Sequence, residues 1–390
     1  MGLQRVINSI AHRFGFHLQP YENKCIALKP ENPSKGNVLL SYTINPFLRK
    51  DGEVSDDRHT CDWECYHIAK TFLERGYSVD VINFTNENFI PKKKYSFFID
   101  ALTNMQRIAP LLNNDCIKIL HCVFAHWLFH NTAQYQRCSN LKKRKGIALS
   151  PRRLLKPNLG IETADCATII GNDHTISTFN FVPKPIYRLP VSTQRLYPWP
   201  EDKDFDKCRR RFLWFGSGAL IHKGLDLVLD VFSGMPDYHL TVCGPIDKEK
   251  EFESAYYKEL YETPNIHTIG WIDVHSSEFI KITKNCIGLI YPSCSEGQSG
   301  GVIISMHTGL IPIISLESGV DADEFGIILK DCSIEEIKTS LKQVSNLPVE
   351  ELKKFARNAW EYARNNNTRE KFFLQYQQVI TDIMDQFENK

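Results

Sequence analysis

From residue 209 onward, short apolar runs rich in β-branched residues alternate with amphipathic segments at a steady spacing. That rhythm restricts the possible folds more than any other feature of the chain. It predicts strands near 211–215, 238–243, 266–269, 286–290, 311–315 and 325–328, and helices near 222–234, 252–262, 276–283, 299–309 and 333–345. Regular strand–helix alternation is the signature of a parallel, doubly wound sheet, in which each helix carries the chain back to start the next strand. Strands covered on both faces read as unbroken apolar runs, and Cys286-Ile-Gly-Leu-Ile290 and Ile311-Pro-Ile-Ile-Ser315 do so.

The first half repeats the rhythm more loosely. Asn37-Val-Leu-Leu-Ser41 reads as a strand, a helix over 61–75 closes at Gly76, and Ser78-Val-Asp-Val-Ile82 follows as the second strand. Further strands are expected at 95–99, 117–121 and 166–170, with a long basic helix over 130–145. Residues 183–207 carry Pro183, Pro185, Pro190, Pro198 and Pro200 and the run Glu201-Asp-Lys-Asp-Phe-Asp206, a composition suited to a connector. A chain of 390 residues exceeds what one hydrophobic core sustains. Three parts are expected: a Rossmann-like domain over 1–190 with an arm over 1–36, a second such domain over 191–368, and a helix over 369–390 packing back on the first. In the arm, Leu3, Val6, Ile7, Ile10 and Phe14 recur at helical spacing opposite Arg5, Asn8, His12 and Arg13. Such a helix either docks on its own domain or lies on an anionic membrane surface.

Composition excludes several classes of function. A net charge of +1 gives no global attraction to nucleic acid. The basic runs Lys92-Lys93-Lys94, Lys142-Lys143-Arg144-Lys145 and Arg209-Arg210-Arg211 read first as solvated surface. Twelve scattered cysteines show no zinc spacing and fit a reducing, cytoplasmic compartment. No apolar stretch is long enough to span a bilayer, and the N-terminus lacks the apolar core of a secretory signal, so membrane contact is expected to be peripheral.

Two segments carry the chemistry. Each follows a predicted buried strand and opens a predicted helix: Trp214-Phe-Gly-Ser-Gly-Ala-Leu-Ile-His-Lys-Gly224, and Pro292-Ser-Cys-Ser-Glu-Gly-Gln-Ser-Gly-Gly301 with its continuation to Pro312. A glycine loop leading into a helix offers unpaired N–H groups and the positive end of a dipole, which a diphosphate needs. Lys223 adds a mobile positive charge and Glu296 an acceptor for sugar hydroxyls. Two other nucleotide loops are excluded. The third glycine of a dinucleotide fingerprint is Ile221, and the order Lys223-Gly224-Leu225 is not a P-loop.

Residues Pro292, Ser293, Glu296, Gly297, Met306, Gly309 and Pro312 fall in the order and near the spacing of a hallmark of family 4 glycosyltransferases, which the chain resembles over 209–330 and, more weakly, over 37–190. Gly270-Trp271 resembles that family's loop near the nucleotide base, and Ala164-Asp165 resembles the start of the last sheet strand of its first domain. The resemblance implies an α/β GT-B fold, two Rossmann-like doubly wound domains facing across a cleft. It also implies a retaining glycosyltransferase that uses neither cofactor nor metal and moves a sugar from a nucleoside-diphosphate sugar to a hydroxyl of a glycan or lipid-linked acceptor, as in cell-surface polysaccharide synthesis. By that likeness Lys223, Glu296 and His126 are the catalytic candidates. Donor binding falls to Gly216, Ser217, Gly218, Gly224, Gly270, Gly297, Gln298, Ser299, Gly300 and Gly301, with the last four offering amides.

The chain departs from the pattern at Ile304, where the second hallmark glutamate would stand, and at Ser217, where the family has a basic residue. His121 and His126 are expected just beyond a strand's carboxyl end, and Arg58 and His59 lie in a long polar loop suited to the acceptor side. Asp321-Ala-Asp323 is expected to be a loop or cap rather than a metal site. Two other readings stay open: a sugar-nucleotide-binding protein without turnover, and an epimerase of the same fold, for which no pair of catalytic carboxylates is evident.

Overall fold

The computed structural model describes residues 23–48, 60–193 and 195–388. Arg58, His59 and the helical stripe of the arm lie outside the described residues. Among those described, one compact unit gathers 23–48, Cys61–His121 and Asn158–Ala167, and a second gathers Cys122–Pro157 and the chain from Thr168 onward.

The first sheet has seven strands: β1 (Cys25–Leu28), β2 (Asn37–Tyr42), β3 (Ser78–Asn83), β4 (Phe97–Asp100), β5 (Ile117–Cys122), β6 (Cys166–Ile170) and β7 (Ile186–Leu189), in the order β1-β3-β2-β4-β5-β6-β7. Strand β2 pairs in parallel with β3 and β4, and β4 with β5. Helix α1 (Thr60–Glu74) makes the first crossover and buries Trp63, Ile68 and Phe72. Two segments differ from expectation. Part of the 1–36 arm is a strand, since β1 runs antiparallel to β3 with alternating exposure, a pattern too short to stand out in sequence. The proline-rich stretch at 183–207 holds β7 between Pro185 and Pro190. An edge strand has one unpaired side, so flanking prolines are tolerated there.

The second sheet is all parallel: β8 (Arg211–Phe215), β9 (His239–Cys243), β10 (Ile266–Gly270), β11 (Gly288–Tyr291), β12 (Ile311–Ser315) and β13 (Ile327–Leu329). Their order is β10-β9-β8-β11-β12-β13, which is 3-2-1-4-5-6 in sequence order and thus the doubly wound Rossmann arrangement. Phe212, Trp214, Leu240, Val242, Ile290 and Ile313 are buried in its core.

Pro312 sits inside β12, although proline removes a donor. The Ile311 amide donates to Ile287 on the β11 side, so position 312 faces the other neighbour, and there the ladder starts only at Ile313 and Ile327. No ladder bond is lost.

Helix α2 (Trp127–Lys145) precedes this sheet in sequence and belongs to the same unit. Its basic end is not simply solvated. Arg144 reaches Asp226 and Asp230 of α3 (Leu225–Ser233) at 2.8 Å each, and Lys145 reaches Asp230 at 2.9 Å and Glu259 at 2.8 Å. The single helix expected over 252–262 is two, Lys250–Ala255 and Tyr257–Tyr261, broken at fully buried Tyr256, whose ring takes the Lys145 ammonium at 4.7 Å. Helices α4 (Ser277–Lys284), α5 (Gly300–His307), α6 (Ile334–Ser345) and α7 (Val349–Asn366) complete the wrapping. Helix α8 (Arg369–Glu388) follows the expected tail stripe and packs on β7, where Gln375 donates to the Arg188 carbonyl at 3.0 Å.

Candidate functional site

In the second sheet the chain winds one way from β8 to β9 and the other way from β11 to β12. The crevice at the carboxyl ends of β8 and β11 is therefore the topological switch point, where open α/β sheets take ligands. Both glycine loops open there, 216–224 after β8 and 292–299 after β11. They touch directly. The Cys294 amide donates to the His222 carbonyl at 2.9 Å, and Gly224, with φ of 72°, lies so near that a side chain would meet the Pro292 carbonyl at 2.4 Å. Only glycine fits that turn.

The two side chains given most weight in the sequence meet. Lys223 Nζ donates to Glu296 Oε1 at 2.8 Å and to Tyr291 Oη at 2.6 Å, and Tyr291 donates to the same carboxylate oxygen at 3.0 Å. Arg153 holds the other oxygen at 2.9 Å. Lys223 and Glu296 are both buried. Burial alone would raise the Glu296 carboxyl, but Arg153 and Lys223 hold it well below the usual carboxylate range. Two cations against one carboxylate leave this cluster net positive.

A second layer comes from α2 and the segment behind it. His130 Nε2 lies 2.8 Å from the Arg153 carbonyl, which can only accept, so that nitrogen carries the proton and Nδ1 accepts from Ser295 Oγ at 3.0 Å. Burial pulls His130 below its usual value, consistent with that neutral form. Arg137 donates to the Pro292 carbonyl at 2.9 Å. His222 lies 3.4 Å from Cys294 Sγ through Nδ1, while its buried Nε2 is 3.9 Å from Glu296 and has no hydrogen-bond partner among the described residues.

Gly297 permits the close approach of a third segment, because a side chain there would meet the Val123 carbonyl at 2.3 Å and the Ile170 carbonyl at 2.7 Å. The Ala125 amide donates to the Glu296 carbonyl at 3.2 Å. His126 is thus one residue from the second loop, at the N-cap of α2, with its ring edge-on to Phe179 and Phe181. His121 is not beyond the strand as expected. It lies within β5, fully buried, with its ring 5.7 Å from Tyr42.

Among the other candidates, Gly216 is buried, Ser217 exposed and Gly218 half-buried along the first loop. Gly270, at φ of 88°, ends β10 beside largely exposed Trp271. Of the four expected amides, that of Ser299 donates to the Ser318 carbonyl at 2.9 Å, so it is already engaged. Gly300 and Gly301 open α5, where first-turn amides lack intrahelical acceptors. The Gln298 side chain faces elsewhere, accepting from Val191 at 2.7 Å and Asn367 at 2.9 Å. Ile304 is half-buried in α5. Asp321 is bonded by Arg188, as a loop residue, and no group of acids, histidines and cysteines able to hold a metal occurs among the described residues. None of the twelve cysteines forms a disulfide, and no helix among the described residues is long and apolar enough to cross a membrane.

Sequence reasoning missed Arg153, Tyr291, His130 and Arg137. Tyr291 could have been noticed as the last strand residue before Pro292. The others come from a segment about 140 to 165 residues away in sequence, with no motif to connect them.

Buried histidines set an expected pH dependence. Burial lowers His121 and His307 to about 4, and His222 well below the ordinary 6.5. A depressed folded-state value favours the neutral ring, so this stability is complete above about pH 6.5 and is lost as pH falls towards 4. The His121 and His307 rings should each contribute about 1.4 kcal/mol per pH unit within that window, with His222 acting in the same direction. Denaturant melts at pH 7, 6, 5 and 4.5 check this, and flat stability between 6.5 and 4.5 would contradict it.

Neither a family description nor any curated protein matches the sequence. Solved structures do. Sucrose-phosphate synthase from Thermosynechococcus elongatus is similar with a TM-score of 0.60 at 13% identity, over 90% of this chain and 99% of that one. Anabaena HepE in complex with UDP-glucose is similar at 0.55 and 12%, over 89% and 100%. WaaG, a glycosyltransferase involved in lipopolysaccharide biosynthesis, is similar at 0.51 and 15%, over 88% and 99%. The chain spans 56% of the length of another similar structure, TarM. At such identities the likeness is one of fold. Two mainly parallel α/β sheets, one in each half of the chain, match the GT-B glycosyltransferase structures.

Proposed function

We propose that the protein is a retaining glycosyltransferase that moves a sugar from a nucleoside-diphosphate sugar to a hydroxyl of a glycan or lipid-linked acceptor in cell-surface polysaccharide synthesis. The observation that carries this reading is the meeting of Lys223 and Glu296 at the β8/β11 switch point, where two glycine loops open towards helices. Breaking the sugar C1–O bond leaves positive charge on the ring and added negative charge on the departing diphosphate. Lys223 and the first-turn amides of α5 supply prearranged positive charge for that oxygen. The acceptor oxygen bonds to C1 from the face the phosphate leaves, and its proton passes to the departing phosphate oxygen, so configuration is retained.

In this reading Glu296 holds Lys223 in position and offers its carboxylate to donor-sugar hydroxyls, while His126 approaches the sugar from the loop beside Glu296. No cofactor is required beyond the donor. Arg58 and His59 remain acceptor-side assignments, and the arm's apolar stripe a peripheral membrane contact. A second reading, donor binding without turnover, is favoured by Ile304, which stands where the second hallmark glutamate would.

The test is incubation with a panel of labelled sugar nucleotides, starting with UDP-glucose because HepE was solved with it. Transfer or slow hydrolysis supports the glycosyltransferase. Saturable binding without product supports the second reading, and an altered sugar would point to an epimerase.

A further inference from the structure

One amide of the loop after β8, that of Leu220, is already occupied by an anion, and it belongs to the protein. Gly218 has φ of 120° and Ala219 of 54°, and the turn they make presents the Leu220 amide. The Glu249 carboxylate sits there. The Leu220 amide donates to its two oxygens at 3.2 and 3.3 Å. Glu249 is only 8% exposed and has no ion pair within 4 Å among the described residues. Arg152 and Lys223 act on it only through space, and burial pushes its carboxyl above the ordinary value. The Leu220 amide rather than a counter-charge holds it.

A backbone amide turned towards a buried carboxylate is equally suited to a phosphate oxygen. Both cannot sit there together, since two anions at contact distance repel strongly in a buried site. Glu249 follows a short turn, Ile246–Lys248, and borders a small cleft lined also by Gln134, Ser150, Arg152 and His222.

We propose that Glu249 is a resident anion, an internal stand-in for phosphate that keeps the 216–224 loop ordered without ligand and must leave before a diphosphate is seated. This rests on the reading above, that the loop takes a nucleoside diphosphate. The occupied loop is binding-incompetent, so the apparent affinity of the ligand is reduced by the fraction of time the carboxylate is in place.

The test is calorimetric titration of the full chain, as wild type, Glu249→Gln and Glu249→Ala, with UDP and separately with inorganic pyrophosphate. Glutamine keeps an oxygen for the Leu220 amide but no charge, so it preserves the fold if alanine does not. Both variants are expected to bind UDP about tenfold more tightly than wild type. Pyrophosphate tightening in both variants while none of the three proteins binds UDP supports the Glu249 assignment and sinks the nucleotide reading. Unchanged or weaker binding of both ligands in both variants overturns the assignment, and wild-type UDP binding in that case leaves the donor reading standing. No binding of either ligand by any of the three overturns both.

Discussion

Replacing Lys223 with alanine is expected to lower kcat for sugar transfer by about 10²- to 10³-fold, the usual effect of deleting one prearranged donor aimed at charge that develops in the transition state. The ammonium is well placed for that role, since Tyr291 and Glu296 fix its position at 2.6 and 2.8 Å and it need not reorganise during reaction. The fall should appear in kcat more than in KM, because the donor diphosphate gains its extra charge only as the bond breaks. Steady-state kinetics with the donor identified from the panel, beside a melting curve of the same variant, separates lost chemistry from lost folding. A folded Lys223→Ala protein with unchanged turnover would end the proposed role of the loop.

The largest stability effect is expected at Glu296. Glu296→Gln leaves Lys223 and Arg153 in a buried pocket without their shared counter-charge, and breaking a buried pair from one side costs about 3–5 kcal/mol. Unfolding should move down by roughly 10 °C, measured by calorimetry. Combining Glu296→Gln with Lys223→Met removes one unpaired cation together with the lost anion, so the double variant should be more stable than the sum of its parts, with a positive coupling. Turnover should not recover with stability. Additive losses in the cycle would show that the two groups do not depend on each other.

The second sheet was legible because its strands are covered on both faces and therefore appear as apolar runs, of which Ile311–Ser315 is fully buried. The two glycine loops were legible for a related reason: Gly224 and Gly297 stand where carbonyls approach within what a side chain would occupy, and such places admit little else. Their meeting was not. It depends on β11 pairing with β8 rather than with β10, a long-range choice that local spacing does not encode. Arg153 and His130 were hidden in the same way, as contacts made by topology. Strand β7 was concealed by the prolines that flank it, and His121, expected beyond the strand's end, lies within β5 in a core rather than in a crevice. Lys223 and Glu296 were read as parts of one cradle, and the fold adds the direct ion pair that joins them.

The pairing of β8 with β11 also bears on when the site comes into being. A protein emerging from the ribosome folds from its leading end as length becomes available. Lys223 is made early, but its carboxylate follows 73 residues later, after β9 and β10 have been laid down on the far side of β8. Until Glu296 has emerged, the nascent chain carries the lysine without its partner and the crevice with a single wall. Under the proposed function, donor capture is therefore expected only of a polypeptide whose second winding is finished.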